Sequence, residues 1–412
     1  MQYESGINRD AQKEVNLSLV IRALHAGRAE TRIGLSRITG LKQATITKIV
    51  KQLRDWGLVT ETTGQDAPLG RKPMGLTLSA DRFFLGAARV NRSYLACGIF
   101  DIAGGLVAYD EVPNRPELGA VASLEKLRVL IESTLARSPG EVLGLGVALP
   151  GPYNARTKRI TLMSGFPGWA KVDIEEGLSG LGLPIFLEHD ANCGALAELW
   201  YGEHSRDENL LYVVCDRGVG AGLITNGQVY HGASGYAGEI GHASINFAGP
   251  LCECGNRGCL ELYASSEALK EAYALNRLAE GGASPEAGEV LRLVRAGDKA
   301  AREAYRRVVG QLAFGVVGLI NALNPDCVVF ADRMVEGGDL FLTAVDSVFR
   351  SHLMPEVYAS LRVSVNRLPG DPMLLGASVV ALDSLLMKPT GAFSARKTPE
   401  GFSEQGKKPA RA

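Results

Sequence analysis

Residues 238–261 read GEIGHASINFAGPLCECGNRGCLE. One histidine and three cysteines, His242, Cys252, Cys254 and Cys259, fall within 18 residues. Thiolate and imidazole ligands in that number fit a closed, tetrahedral zinc site. Gly255 and Gly258 let the intervening chain turn tightly around an ion. With all four positions filled by protein, such a zinc does not activate water. It holds a loop, and its affinity contributes to folding.

Working outward, the other four cysteines are scattered. Cys97, Cys193, Cys215 and Cys327 stand in apolar contexts and read as reduced core thiols. A cysteine cluster in a reducing compartment points to metal rather than to disulfides. Strand-rich segments at Phe83–Ile99, Val142–Ala148, Ile185–Leu187, Leu210–Cys215 and Cys327–Phe330 alternate with helical periodicity at 120–136, 191–201, 265–281, 286–324 and 372–387. That alternation implies an α/β architecture. The 412 residues suffice for two or three domains, and 46% hydrophobic with 22% charged is ordinary for a soluble chain. No apolar run reaches the roughly 18 residues that a membrane span needs. The N-terminus lacks the basic-then-apolar layout of a signal peptide. The expectation is a cytoplasmic chain with no membrane partner. Residues 389–412 are rich in Lys, Pro, Gly and Ser and read as a disordered tail.

The opening of the chain has a different character. Residues 1–80 hold 12 Lys+Arg against 7 Asp+Glu, about +5, within a chain of net charge −1. A basic head on an acidic body suits a polyanion partner at one end. Residues 14–60 read as three helices. The first has Leu17, Val20, Ile21 and Leu24 at helical spacing, and the second follows the N-cap Thr31 and buries Leu35 and Ile38. Gly40 makes a turn, and the third buries Ile46, Ile49, Val50 and Leu53 before Gly57. Leu58–Thr62 and Met74–Leu78 then read as a wing hairpin. In this layout the second helix of the pair enters the major groove. The candidate DNA contacts are Lys42, Gln43, Ala44, Thr45, Thr47, Lys48 and Lys51 on that helix, with Arg71 and Lys72 in a Gly-Arg-Lys-Pro wing turn suited to the minor groove.

Together, the head, the Glu-Ile-Gly-His string and the Cys-x-Cys-Gly-x-x-Gly-Cys-x-Glu string resemble the ROK family, named for its repressors, open reading frames and kinases. The resemblance covers residues 14–388 and is to its xylose, N-acetylglucosamine and glucose-type repressors. It implies a winged helix-turn-helix followed by a two-lobed, actin-like ATPase fold with sugar bound in the cleft. The domains implied are 1–80 for the DNA-binding head, 81–190 for the small lobe and 191–388 for the large lobe with its zinc loop, whose last helix returns to the small lobe. The sugar contacts implied are Asp190, Asn192, Glu239, His242 and Glu261, with His242 also a zinc ligand beside Cys252, Cys254 and Cys259. Carboxylates accept from sugar hydroxyls in fixed directions with charge-assisted strength. Asp190 follows an apolar strand, at the carboxyl end where α/β ligands bind. Two positions depart from the kinase pattern: Gly165 replaces an Asn, and His189 replaces the Asn before the Asp.

Three phosphate-handling motifs also depart from the family's kinases. The Gly-x-Asp-x-Gly-x-Thr motif reads Gly86-Ala87-Ala88-Arg89-Val90-Asn91-Arg92, so Val90 puts a branched side chain where backbone should approach a phosphate. The Gly-Thr-Gly motif reads Asp216-Arg217-Gly218, with Arg217 offsetting Asp216. Where a Gly-Gly pair should follow Asn324-Pro325 and its strand, the chain reads Ala331-Asp332-Arg333. Phosphoryl transfer is mostly positioning and charge stabilisation around those phosphates. The expectation is therefore no enzyme, but a repressor of operator DNA with a sugar or sugar-phosphate effector, acting as a homodimer or homotetramer. A DNA-tethered sugar kinase and a repressor controlled by a protein partner remain the alternatives.

Overall fold

The computed structural model describes residues 8–25, 27, 31–63, 74–162, 166, 168–204, 208–276 and 285–394. The expectations at Arg71, Lys72, Gly165 and residues 395–412 lie outside these.

The head is α1 (Arg9–His25), α2 (Arg32–Thr39), α3 (Gln43–Asp55) and the hairpin β1 (Val59–Thr63) with β2 (Met74–Leu78). Thr31 caps α2 by accepting from the Gly34 amide at 3.1 Å. Gly40 takes the left-handed turn, φ 70°, between the two helices. Leu17, Val20, Leu35, Ile46, Val50 and Leu53 close one core. Ile38, expected inside, is exposed, because the eight-residue α2 turns only Leu35 fully inward.

The body has two five-stranded sheets. The first is built from β3 (Phe83–Val90), β4 (Tyr94–Asp101), β5 (Leu106–Pro113), β6 (Glu141–Leu149) and, after α4 (Gly119–Leu135), the short pair β7 (Tyr153–Asn154) and β8 (Arg159–Ile160) and α5 (Ile174–Leu178), β9 (Ile185–His189). Its order is β5-β4-β3-β6-β9. The expected Phe83–Ile99 segment is two antiparallel strands turning at Asn91–Ser93. α6 (Asp190–Tyr201) follows directly. The second sheet comes from β10 (Leu210–Cys215), β11 (Val219–Thr225), β12 (Gln228–Val229), β13 and β14, in the order β12-β11-β10-β13-β14. Between β12 and β13 (Cys327–Ala331) lie α7 (Glu261–Ala264), α8 (Ser266–Asn276), α9 (Ala287–Ala296) and α10 (Lys299–Leu323); α11 (Asp339–His352) and α12 (Pro355–Ser360) precede β14 (Arg362–Val365). The single helical stretch expected over 286–324 breaks at Gly297, φ 90°, and restarts at the N-cap Asp298. α10 is the described helix long and apolar enough to cross a membrane, yet its stripe from Tyr305 to Ile320 lies in the core.

α13 (Pro372–Leu385) returns to pack on β3, β6 and α6. Beyond it, α14 (Pro389–Phe393) corrects the expectation of a tail beginning at 389. Phe393 is buried, with ring centroids 6.2 Å from Trp56 and 5.6 Å from Phe83. Buried Phe393 and Pro389, with the Thr390 amide donating to Glu14 of α1 at 2.9 Å, tie down a segment whose composition argues against order. Head and body share this core, and Arg22 of α1 pairs with Asp383 of α13.

Candidate functional site

A cleft between the two sheets is lined by Arg89, Asn91, Arg92, His189, Asp190, Asp216, Arg217, Glu239, His242, Glu261 and Asp332, with backbone of Gly151 and Gly218. β9 ends at His189, and Asp190 opens α6 at that strand's carboxyl end. His189 is buried, with Nε2 3.4 Å from Asp190 Oδ1.

Glu239 and His242 reach the cleft because two glycines press the chain against β11. A Cβ on Gly238 would lie 1.9 Å from the Ala221 carbonyl oxygen, and one on Gly241 2.1 Å from that of Val219. The Ala221 amide donates to the Gly238 carbonyl at 2.8 Å, fixing that approach. Burial pushes the Glu239 carboxyl above its ordinary range; His189 and His242 pull it back, and Asp190 adds to the rise.

Asn192 is a correction. It is absent from the cleft wall, and its amide donates to Glu188 Oε1 at 2.9 Å. Glu188 in turn engages His231 through Oε2 at 2.8 Å. Two residues after Asp190 in the first turn of α6, the Asn192 side chain points away from the cleft.

The expected metal cluster assembles. The ligand atoms of His242, Cys252, Cys254 and Cys259 all lie within 4.8 Å of one another. Cys254 Sγ is 3.6 Å from Cys259 Sγ, and Cys252 Sγ is 3.7 Å from His242 Nδ1. A tetrahedron with bonds of about 2.3 Å separates its ligand atoms by about 3.8 Å, so the set fits one zinc. Gly258, φ 65°, passes so close to Asn246 that a Cβ would lie 1.8 Å from its carbonyl oxygen. Glu261 Oε1 lies 3.3 Å from His242 Nδ1 and 3.2 Å from Cys252 Sγ. With Nδ1 turned to the thiols, the other ring nitrogen of His242 is the one left for a ligand.

The phosphate motifs hold surprises. Val90 is buried in the core rather than turned to the cleft. Asp216 pairs with Arg333 at 3.0 Å, not with Arg217. Arg89 is only 4% exposed; Nη1 donates to Asp371 at 2.8 Å and Nη2 lies 3.5 Å from Asp332. Asp332 takes φ 71°, a position where glycine is at ease. Burial lifts its carboxyl to about 6 against the pull of Arg89. Sequence reasoning missed Arg89, Arg92 and Asp332 as cleft residues. The available signal for Arg89 was a cation inside an otherwise apolar eight-residue strand.

In the head, Lys42, Gln43, Ala44, Thr47, Lys48 and Lys51 are exposed and Thr45 half-buried, opposite the buried stripe of α3. They form one exposed face.

Residues 86–384 match the sequence model of the ROK family. The chain is 27% identical over 392 residues to a putative xylose repressor of Caldicellulosiruptor sp. (strain Rt8B.4), covering 92% of this chain and 98% of that one. It is 28% identical over 367 residues to the DNA-binding transcriptional dual regulator NagC of Escherichia coli (strain K12), covering 86% and 89%. The crystal structure of a ROK family transcriptional regulator, a homolog of the E. coli MLC protein, superposes with a TM-score of 0.79 at 24% identity, covering 94% of this chain and all of that one.

Proposed function

The chain belongs to the ROK family, and from that membership we propose that it is a sugar-responsive transcriptional repressor. The head, residues 1–80, binds operator DNA through Lys42, Gln43, Ala44, Thr45, Thr47, Lys48 and Lys51, helped by Arg71 and Lys72. A sugar or sugar phosphate binds between the lobes, 81–190 and 191–388, through Asp190, Glu239, His242 and Glu261. One structural zinc per chain on His242, Cys252, Cys254 and Cys259 keeps Glu239 and Glu261 at a fixed spacing. The chain is no enzyme, since charged side chains fill the places where a kinase presents glycines to nucleotide phosphates.

The observation that carries the reading is the course of α6. Its first residue, Asp190, lines the cleft. Its last turn touches the head: His25 of α1 lies 4.6 Å from the Trp200 ring and 3.1 Å from the Tyr201 hydroxyl. A 12-residue helix thus joins ligand site to DNA-binding element. An effector that draws Asp190 moves the far end as a rigid body, and in a homodimer or homotetramer the two recognition helices lose register with their half-sites.

The test is a gel shift on upstream DNA with a panel of sugars and sugar phosphates. The expected result is tight binding weakened by one panel member. If none of them alters DNA affinity, the effector reading fails. A coupled ADP-release assay is expected to show no turnover on any hexose or pentose.

A further inference from the structure

Arg89, at the cleft, is consumed by Asp371 and Asp332, and Arg333, beside it, pairs with the cleft residue Asp216. Arg92 and Arg217 are different. Both line the cleft, and among the described residues neither has a hydrogen bond or an ion pair. They also face the same second cavity, beside Cys252 and Glu261. Arg92 is half-buried, and a Cβ placed on Gly218 would lie 3.7 Å from its Nη2 and 3.8 Å from Glu261 Oε2. Arg92 therefore stands beside the carboxylate that would grip a sugar, yet makes no ion pair with it. Burial, and then the like charge of Arg217, hold the Arg92 guanidinium below its ordinary value against the pull of Glu261 and Asp190. Arg92 is half-buried and Arg217 exposed, both line the same cleft and the same second cavity, and among the described residues neither is answered by a carboxylate.

Their place in the chain says which anion fits. Arg92 occupies the Thr position of the first phosphate motif, and Arg217 the middle of the second. Both share the cleft with Asp190, so a ligand held there lies alongside them. Guanidinium forks match phosphate oxygens in geometry and charge.

Building on the repressor reading above, we propose that Arg92 and Arg217 form a phosphate subsite, so that the effector is a sugar phosphate ester whose phosphate lies at these two guanidinium groups and whose sugar hydroxyls lie at Asp190, Glu239, His242 and Glu261. The free sugar leaves both cations unsatisfied and binds more weakly. The protein then reports a phosphorylated sugar, the product class of a sugar-phosphorylating step, rather than the sugar outside the cell.

Isothermal titration of the full-length protein decides this. The probes are glucose, mannose, N-acetylglucosamine and xylose, each beside its terminal phosphate ester, with inorganic phosphate as a control. One ester is expected to bind at least tenfold more tightly than its parent sugar. Charge-assisted hydrogen bonds of this kind translate to losses of about 10- to 100-fold when removed. Arg92→Met and, separately, the exposed Arg217→Ala should each weaken the ester by that range while leaving the parent sugar's weak binding in place. A free sugar that binds as tightly as its ester overturns the phosphate subsite and leaves the repressor reading standing. So does an ester whose affinity survives both substitutions. If neither esters nor free sugars bind, the sugar-sensing reading itself falls and takes the subsite with it.

Discussion

Replacing Arg89 with Met removes a charge from the most enclosed ionic cluster in the body while keeping the aliphatic stem. The guanidinium donates to Asp371 Oδ2 at 2.8 Å and to the Tyr94 hydroxyl at 2.6 Å, and sits 3.5 Å from Asp332. Asp371 also caps α13, accepting from the amides of Met373 and Leu374 at 3.0 and 3.1 Å. Removing one partner of a buried pair costs about 3–5 kcal/mol, because the remaining charge is stranded. Here two carboxylates are stranded. They escape part of the cost by binding protons. Burial already lifts Asp332 to about 6, and Arg89 is the main force opposing that rise. A carboxyl raised in the folded state binds its proton more tightly there than when unfolded. Its contribution is present at low pH and is lost as pH climbs through the folded value. The penalty of Arg89→Met should thus be about 3–5 kcal/mol at pH 8 and clearly smaller at pH 5. Urea unfolding at both pH values, followed by the fluorescence of Trp169 and Trp200, measures it. A loss below about 1 kcal/mol at pH 8, or one that does not change with pH, refutes the argument. The double variant Arg89→Met with Asp371→Asn should recover part of the loss, since the stranded charge on the helix cap is gone.

Three further outcomes are expected. Phe393→Ala empties an aromatic site that is 1% exposed and should cost about 3–5 kcal/mol of head–body docking; limited proteolysis should then cleave near residue 80 faster, and an unchanged rate counts against it. Cys254→Ser removes one of four clustered ligands; zinc content should fall well below one per chain by elemental analysis and repression should weaken, whereas a full complement of zinc with normal repression sinks the assignment. His231→Ala unpairs Glu188. In the wild type, hydrogen bonding to Glu188 lifts His231, while His231 and Asn192 together outweigh burial and depress Glu188. The stability His231 adds is lost as pH rises through its lifted value, and that from Glu188 as pH falls through its depressed one. Melting curves across pH should show the alkaline fall-off of the wild type flattened in the variant; identical pH profiles would discount the pair.

Most of the fold could be read from local pattern. The three head helices declare themselves because Leu17, Val20 and Leu24, or Ile46, Val50 and Leu53, recur at helical spacing over a shared core. The central strands declare themselves because they are buried on both faces and read as apolar runs. Edge strands did not. Leu106–Pro113 alternates exposed and half-exposed positions, and Arg362–Val365 is short and half-buried. β11 hid behind its glycines, Gly220 and Gly222, the second of which lets the Ala191 backbone approach closely. α14 hid because buried Phe393 and Pro389 and the Thr390 bond to Glu14 outweigh a polar composition.

The cleft divides along the same line. Zinc ligands and the Glu239–His242 pair lie within one short segment, so spacing alone finds them. The charge pairing of the phosphate motifs is set by contacts across the fold: Arg89 meets Asp371 282 positions away. From sequence, three altered motifs look like a common loss. In three dimensions they separate into two kinds of change. Arg89 pairs with Asp371 and Asp332, and Asp216 with Arg333, so these charges are met within the chain. Arg92 and Arg217 keep their charge open, toward the side where Asp190 and Glu261 stand. A body that merely decayed from a kinase would have no reason to pair the first set and leave the second unpaired. The asymmetry is what the proposed phosphate subsite rests on: the cations of the first set are answered inside the chain, and those of the second are left for a ligand.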